Sequence, residues 1–374
     1  MAKAGYIGVD GIARKMRKAY YGVDGVARKV KKMYIGDDNG YARLFLGNDK
    51  IEYKGTATPL SVARIALGAT SVGNYALFGG GTSSGYTAYS SVVDAYDKRL
   101  TRTQPTALSS ARYSVVAGSI GNYALFAGGV GTSRYNVVDA YDTSLTRTNP
   151  TSLSVAKSGM AIANVGNYLL FAGGEGNSSA GESGVDAYDT SLTRTTPTKL
   201  SQSRFNLSGC GVGNYALIVG GRTGSEYYGT VDVYDASLTK STANKTSARD
   251  AMASARAGDY ALFAGGHDGT YSQATVDAYD ASLTKTNPTA LSAWVRYLAG
   301  TTLAEQAIFG GGSNGNTRSA VVNSYDKQLT RTVQANLSLA RENLKATSVG
   351  DYALFGGGSE AYSVYNSTVD VYCV

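Results

Sequence analysis

His267 is the only histidine among 374 residues. That single fact removes most nucleophilic and metal chemistry from consideration. A Ser-His-Asp or Cys-His arrangement has no activating imidazole unless His267 provides it, and a multi-histidine zinc or copper centre cannot be assembled. His267 stands in GGHDGTYSQ, a glycine-rich stretch that reads as a loop. Carboxylates are paired along the chain in the motif V-D-A-Y-D, as in Asp94 with Asp97 and Asp139 with Asp142. A glycosidase needs one such pair facing one sugar. Here the pair recurs, which points to turn capping and hydrogen bonds within the fold. The cluster GGGTSSG (79–85) follows an apolar stretch but opens no helix and carries no Gly-Lys-Ser/Thr, so it lacks the helix N-terminus that a phosphate cradle requires. Cys210 and Cys373 are far apart and do not form a metal knuckle. They read as small buried side chains, and no disulfide framework is available. The chemistry-bearing residues therefore predict neither catalysis nor a cofactor.

The remaining polar candidates are binding residues. A basic side chain recurs before each apolar stretch: Arg64, Arg112, Lys157, Arg204, Arg249, Arg296 and Arg341. Six of them stand nine residues before the Gly of the next Gly-Asn/Asp turn. Arg296 stands eight before Ala304, which reads as a one-residue deletion. This set has two readings, a basic ring at one channel mouth and a series of salt bridges joining the repeats; the second is preferred. The variable loops carry Tyr86 and Tyr89, then Arg134 and Tyr135, then Arg222, Tyr227 and Tyr228. Further along come His267, Asp268 and Tyr271, then Arg318, then Tyr362 and Tyr365. Tyr and Arg offer large contact areas with a polar handle, so these loops are the candidate ligand-binding face.

The elements that must position these residues are legible as repeats. VGNYALFGGG begins at Val72 and returns as IGNYALFAGG, VGNYLLFAGG, VGNYALIVGG, AGDYALFAGG, LAEQAIFGGG and VGDYALFGGG. Gly73 and Gly350 span six intervals of about 46 residues, a period suited to β-propellers. Each unit reads as four strands, exemplified by YSVVAGS, YALFAGG, VVDAYD and LTRTNPT. A four-stranded sheet with two apolar faces must be covered on both sides, and radial stacking covers it. The second-strand motif occurs seven times and the fourth-strand Leu-Thr motif six times, while the chain ends on VDVYCV, a third strand. EYKGTATPLSVAR (52–64) aligns with LTRTQPTALSSAR (100–112) without gaps, so a strand near Glu52–Thr56 is expected to complete the last blade against Thr368–Cys373. With its double glycine, variable loop and aromatic before a turn, as in Gly128, Gly129 and Tyr141, the unit resembles the kelch repeat. The fourth strand carries Leu-Thr-Arg/Lys where kelch units usually carry Trp. That resemblance implies a seven-bladed, all-β, kelch-like propeller over residues 48–374.

Residues 1–47 form a second system. Gly8, Gly22 and Gly36 lie 14 residues apart, with Asp10-Gly11, Asp24-Gly25 and Asn39-Gly40 as turn signals. Each unit reads as a turn plus a strand of roughly ten residues, giving a β-meander. This arm holds ten Lys/Arg against four Asp, net +6, and the remainder holds 25 basic and 24 acidic residues, net +1. Arg14, Lys15, Arg17, Lys18, Arg28, Lys29, Lys31 and Lys32 carry most of the charge. The arm is too small for a core of its own, so docking on a partner or self-association is expected. Its units resemble N-terminal repeats of tail-region proteins of phages and prophages of Gram-positive bacteria. That resemblance implies a virion-associated, non-enzymatic protein, anchored by the arm to another virion protein or to itself, with the loop face recognising a host surface glycan or protein. A purely structural virion component and an intracellular kelch adaptor with an anion-binding arm are the alternatives; nucleic acid is the less favoured partner. No secretory signal and no apolar run of about 20 residues is present, so synthesis in a host cytoplasm as a soluble protein is expected.

Overall fold

In the computed structural model, residues 50–85, 87–177 and 181–374 are described in full, along with the backbones of six short strands before them. Seven four-stranded antiparallel sheets follow one another along the chain. Blade 2 is representative: Val116–Ile120, Tyr123–Ala127, Val138–Tyr141 and Arg147–Thr148 pair in sequence order. The first strands of the seven blades line one central channel. The second and third strands are the most deeply buried, because each is covered on both faces by neighbouring blades. The chain is a seven-bladed β-propeller.

Packing between blades follows from residue size. Phe126 of blade 2 packs over Gly79 of blade 1, where an added Cβ would meet its ring at 2.7 Å. Phe78 covers Gly356 of blade 7 in the same way. The second glycine of each pair is also required. Gly81 has φ +106°, and a Cβ there would lie 2.7 Å from the Ile65 carbonyl. The outer strands of blades 1 to 6 run only two to four residues, shorter than the seven of LTRTNPT. Leu145 turns into the left-handed region at φ 63°, and the Asn149 amide donates to the Val138 carbonyl at 3.0 Å. A side chain thus replaces the strand ladder just beyond Thr148.

The ring closes as the repeat count requires. Glu52–Ala57 is the outer strand of blade 7, pairing Val369 with Ala57 and Cys373 with Glu52. Tyr53 strengthens the joint by donating to Asp370 at 2.7 Å, and burial with that bond pushes its hydroxyl up to about 12.

The arm differs from the expected meander. Tyr6–Val9 pairs with Ile12–Lys15, Tyr20–Val23 with Val26–Lys29, and Met33–Gly36 with Ala42–Leu46. These are three separate two-stranded hairpins. Val9 opposes Ile12 and Val23 opposes Val26, so the first two 14-residue units each fold on themselves across a two-residue Asp-Gly connection, while the third pairs Gly36 with Ala42. Arg14, Lys15, Arg28 and Lys29 lie on the second strands of these hairpins, while Arg17, Lys18, Lys31 and Lys32 lie outside the described residues.

Removing residues 1–57 should lower the melting temperature, since it strips blade 7 of its outer strand and opens the closing sheet. Removing only residues 1–47 spares that strand. Thermal unfolding of the two truncations checks this; equal melting of the 1–57 deletion and the full chain would contradict the closure.

Candidate binding face at the channel mouth

The recurring basic residues do not form an exposed ring. Arg64, Arg112, Lys157, Arg204, Arg249 and Arg341 are fully buried. Each pairs with the first aspartate of V-D-A-Y-D: Arg112 with Asp139 at 2.7 Å, for example, and Arg64, Lys157, Arg204, Arg249 and Arg341 with Asp94, Asp186, Asp232, Asp277 and Asp370. Backbone bonds show what the pairs do. The segment crossing from blade 1 to blade 2 is held to blade 1 through Leu108 N–H to Ser91 O and Arg112 N–H to Ser90 O. Gly81 N–H of blade 1 also donates to the Arg112 carbonyl, and side chains join the segment to blade 2. Tyr141 donates to the Thr106 carbonyl, Asp139 accepts from Ser109 N–H, and Arg112 donates to the Phe126 and Gly128 carbonyls and to Asp139. The cations are salt-bridged, though each pair ties a crossing segment to the blade it enters and does not bridge two blades, and the mouth-ring reading is corrected: the spacing places a cation on the crossing segments, but the buried carboxylate facing it draws it inward. The second aspartate caps the outer turn, as Asp142 does for Ser144 and Thr146 N–H.

Arg296 breaks this pattern without any deletion. The backbone position of the buried cation is filled by Val295, whose carbonyl accepts from Gly266 N–H just as that of Arg112 accepts from Gly81 N–H. Its partner position holds Asn323, which still accepts from Ser292 N–H. Blade 6 has lost both charges together, and its arginine stands one residue later, at the mouth.

That mouth is a rigid collar. Ala66, Ser114, Gly159, Asn206, Ala251, Tyr297 and Asn343, one per blade, all have φ between 51 and 60°. Such a conformation costs a non-glycine residue roughly 1 kcal/mol. It is offset by bonds that run around the ring, including Asn206 N–H to Gly159 O, Ala251 N–H to Asn206 O, Tyr297 N–H to Ala251 O and Asn343 N–H to Tyr297 O. Below it the channel encloses about 1150 Å³; of its lining residues only Arg256 and Lys345 are charged, both cationic. Lys345 is solvent-accessible yet enclosed by the channel wall, and desolvation holds its ammonium below the ordinary lysine range. Cys210, also on the wall, has its thiol pushed up to about 12 by burial, which disfavours the reactive thiolate. Cys373 is half-buried beside the closing strand.

Most of the predicted loop residues link adjacent blades. Arg134 pairs with Glu175 at 2.9 Å, Arg222 with Asp250 at 3.0 Å and Arg318 with Glu342 at 2.8 Å. Tyr89 stacks on Tyr113, and the Tyr365 hydroxyl accepts from Gly85 N–H. Tyr135 is half-buried against Gly131, and Tyr228 donates to Glu226. Tyr271 and Tyr362 remain 66% and 90% exposed; Tyr86 lies outside the described residues. The set is spread around the ring, and among the described residues Arg222, Tyr227 and His267 are brought together. Tyr227 meets His267 edge-on at 5.7 Å, with Arg222 over the Phe205 ring at 4.6 Å. Asp250, Arg296 and Tyr297 complete this cluster, and Trp294, two residues before Arg296, is 62% exposed. Arg296 was marked only as a member of the recurring basic set, and Asp250, Tyr297 and Trp294 were not marked; Val295 at the cation position and Asn323 at the aspartate position were the signal available in the sequence.

Comparison with known proteins gives the fold and nothing finer. No protein-family profile matches the chain, and no curated protein matches its sequence. Solved structures resemble it widely; one, titled "Structure of YjhT", aligns with TM-score 0.55 at 11% identity, covering 84% of this chain and 96% of that one. Likeness at that identity establishes the architecture alone, and propellers host unrelated functions.

Breaking one member of a buried pair, by Arg112→Val or Asp139→Asn, should cost about 3–5 kcal/mol. The double change copies blade 6 and should be more stable than Arg112→Val alone. Chemical denaturation of the three variants measures this coupling; additive losses would contradict it.

Proposed function

We propose that this protein is a non-enzymatic binding protein whose loop face recognises a host surface glycan or protein while the hairpin arm anchors it to a particle or joins copies of the chain. The observation that carries the reading is the gathering of Arg222, Tyr227, His267 and Arg296, with exposed Trp294 and Tyr271 nearby in the same blades, on one rigid face. The paired carboxylates that could support hydrolysis are committed to crossing segments and turns. The arm's likeness to phage tail-region repeats supports a virion setting. Separate hairpins with open edges suit strand addition by a partner. A purely architectural role is the second reading, favoured by the number of loop side chains that serve as links between blades.

A glycan and cell-surface binding screen distinguishes the two. Tyr227→Ala with Tyr228→Ala should weaken binding by about 2 kcal/mol or more, the usual scale for hot-spot truncation, without lowering the melting temperature. Binding that survives this change and every other loop substitution would move the site off this face, and no binding in the screen would favour the architectural role. Light scattering of the full chain against residues 48–374 should show that larger assemblies require the arm; a monomeric full chain, absent from particles but bound to DNA with a steep salt dependence, would overturn the anchoring role.

A further inference from the structure

We infer that the mouth between blades 5 and 6 is an oxyanion site, in which Arg296 and His267 receive a phosphate or carboxylate group of the ligand. The inference deepens the binding reading by naming the chemical group recognised. It begins with the charges. Arg222 is neutralised by Asp250 and Arg318 by Glu342. Among the described residues Arg296 has no carboxylate partner, its Nε is buried without a hydrogen-bond acceptor, and its guanidinium lies over the Tyr297 ring at 5.4 Å. The cation is therefore oriented and unspent. A buried arginine would have been satisfied had the repeat been kept in blade 6; Val295 and Asn323 occupy those positions instead.

Backbone pairing fixes the neighbours. Asp250 bridges His267, His267 bridges Ser272, and Arg296 bridges Ser313. Ser272 Oγ donates to the Ser313 carbonyl at 3.3 Å, tying the two blades' loops together beside the site. His267 Nδ1 accepts from Gly269 N–H at 3.2 Å, which leaves Nε2 as the protonated, donating nitrogen of the neutral ring. The groups acting on this imidazole are Asp250 and Asp268, which favour its cation, and Arg296 and Arg222, which oppose it. Desolvation, followed by Arg296, holds it below the ordinary histidine range. A neutral donor beside an unpaired guanidinium suits an incoming oxyanion, and the channel below adds only positive charge.

Because His267 is the only histidine, its ring C–H resonances report this site without ambiguity. The experiment follows the NMR titration of His267 in the full chain with inorganic phosphate, with acetate, and with sodium chloride at matched ionic strength. An oxyanion bound beside the ring favours its protonated form, so the pKa should rise saturably with phosphate, acetate or both; the tighter of the two identifies the group. No shift, or an equal shift with chloride, would overturn the site. Arg296→Gln should raise the pKa of the ligand-free protein, because a neighbouring cation is removed, and abolish the further rise with oxyanion. An oxyanion-induced rise that persists in this variant would also overturn the site. Should Arg296→Gln fail to fold, the titration of the unaltered protein still decides. Inorganic anions are the probes, so a failure here is separate from a failure to find a surface ligand.

Discussion

Every blade boundary depends on one constraint: the segment crossing from one blade to the next carries backbone polar groups through a region that both blades bury. Unpaired, each such group would cost about 1–3 kcal/mol. The V-D-A-Y-D strand solves the problem from one side, its tyrosine and first aspartate bonding the crossing segment that enters its own blade. The cation on the segment solves it from the other, reaching past that aspartate to the carbonyls of the second strand. Glycine is demanded at the same place, since the second residue of the pair donates its N–H to the carbonyl of the cationic residue. Double glycine, cation, aspartate and tyrosine are thus one joint made from four sequence features.

A buried ion pair is weak evidence for stability in general, because desolvation offsets the Coulombic gain. This chain contains its own comparison. Blade 6 replaces the pair with Val295 and Asn323 and keeps the same backbone bonds. The neutral joint is therefore compatible with the fold, which assigns the ion pairs to alignment of the crossing segment more than to net stabilisation. What matters is that both charges are present or both absent.

Much of this was legible in the sequence. Seven copies of the second-strand motif and six copies of the outer-strand motif led to the closure between Glu52–Ala57 and Val369–Cys373. The preference for salt bridges over a mouth ring was also available, since the cations and aspartates recur in step. The surface was less legible. Spacing alone gave Arg296 the role of its neighbour Val295, because a residue type was followed where a backbone position should have been. The arm was misread because hydrophobic alternation is the same in a meander and in isolated hairpins, and only the register of Val9 with Ile12 separates them. Loop Tyr and Arg residues were read as a ligand-binding face from their type alone, and composition could not tell that Arg134, Arg222 and Arg318 are engaged by carboxylates on the next blade.

The claim on which the account turns is that cation and aspartate form a matched joint, and blade 6 allows its most direct test. Thermal unfolding should be compared for Val295→Arg, Asn323→Asp and the two together. Val295→Arg buries a cation with no carboxylate facing it and should lower the melting temperature most. Asn323→Asp should cost less, because Arg331 stands where Arg147 meets Asp139. The double change rebuilds the pair seen in the other six blades and should recover most of the loss of Val295→Arg. A double variant no more stable than the worse single one would contradict the account.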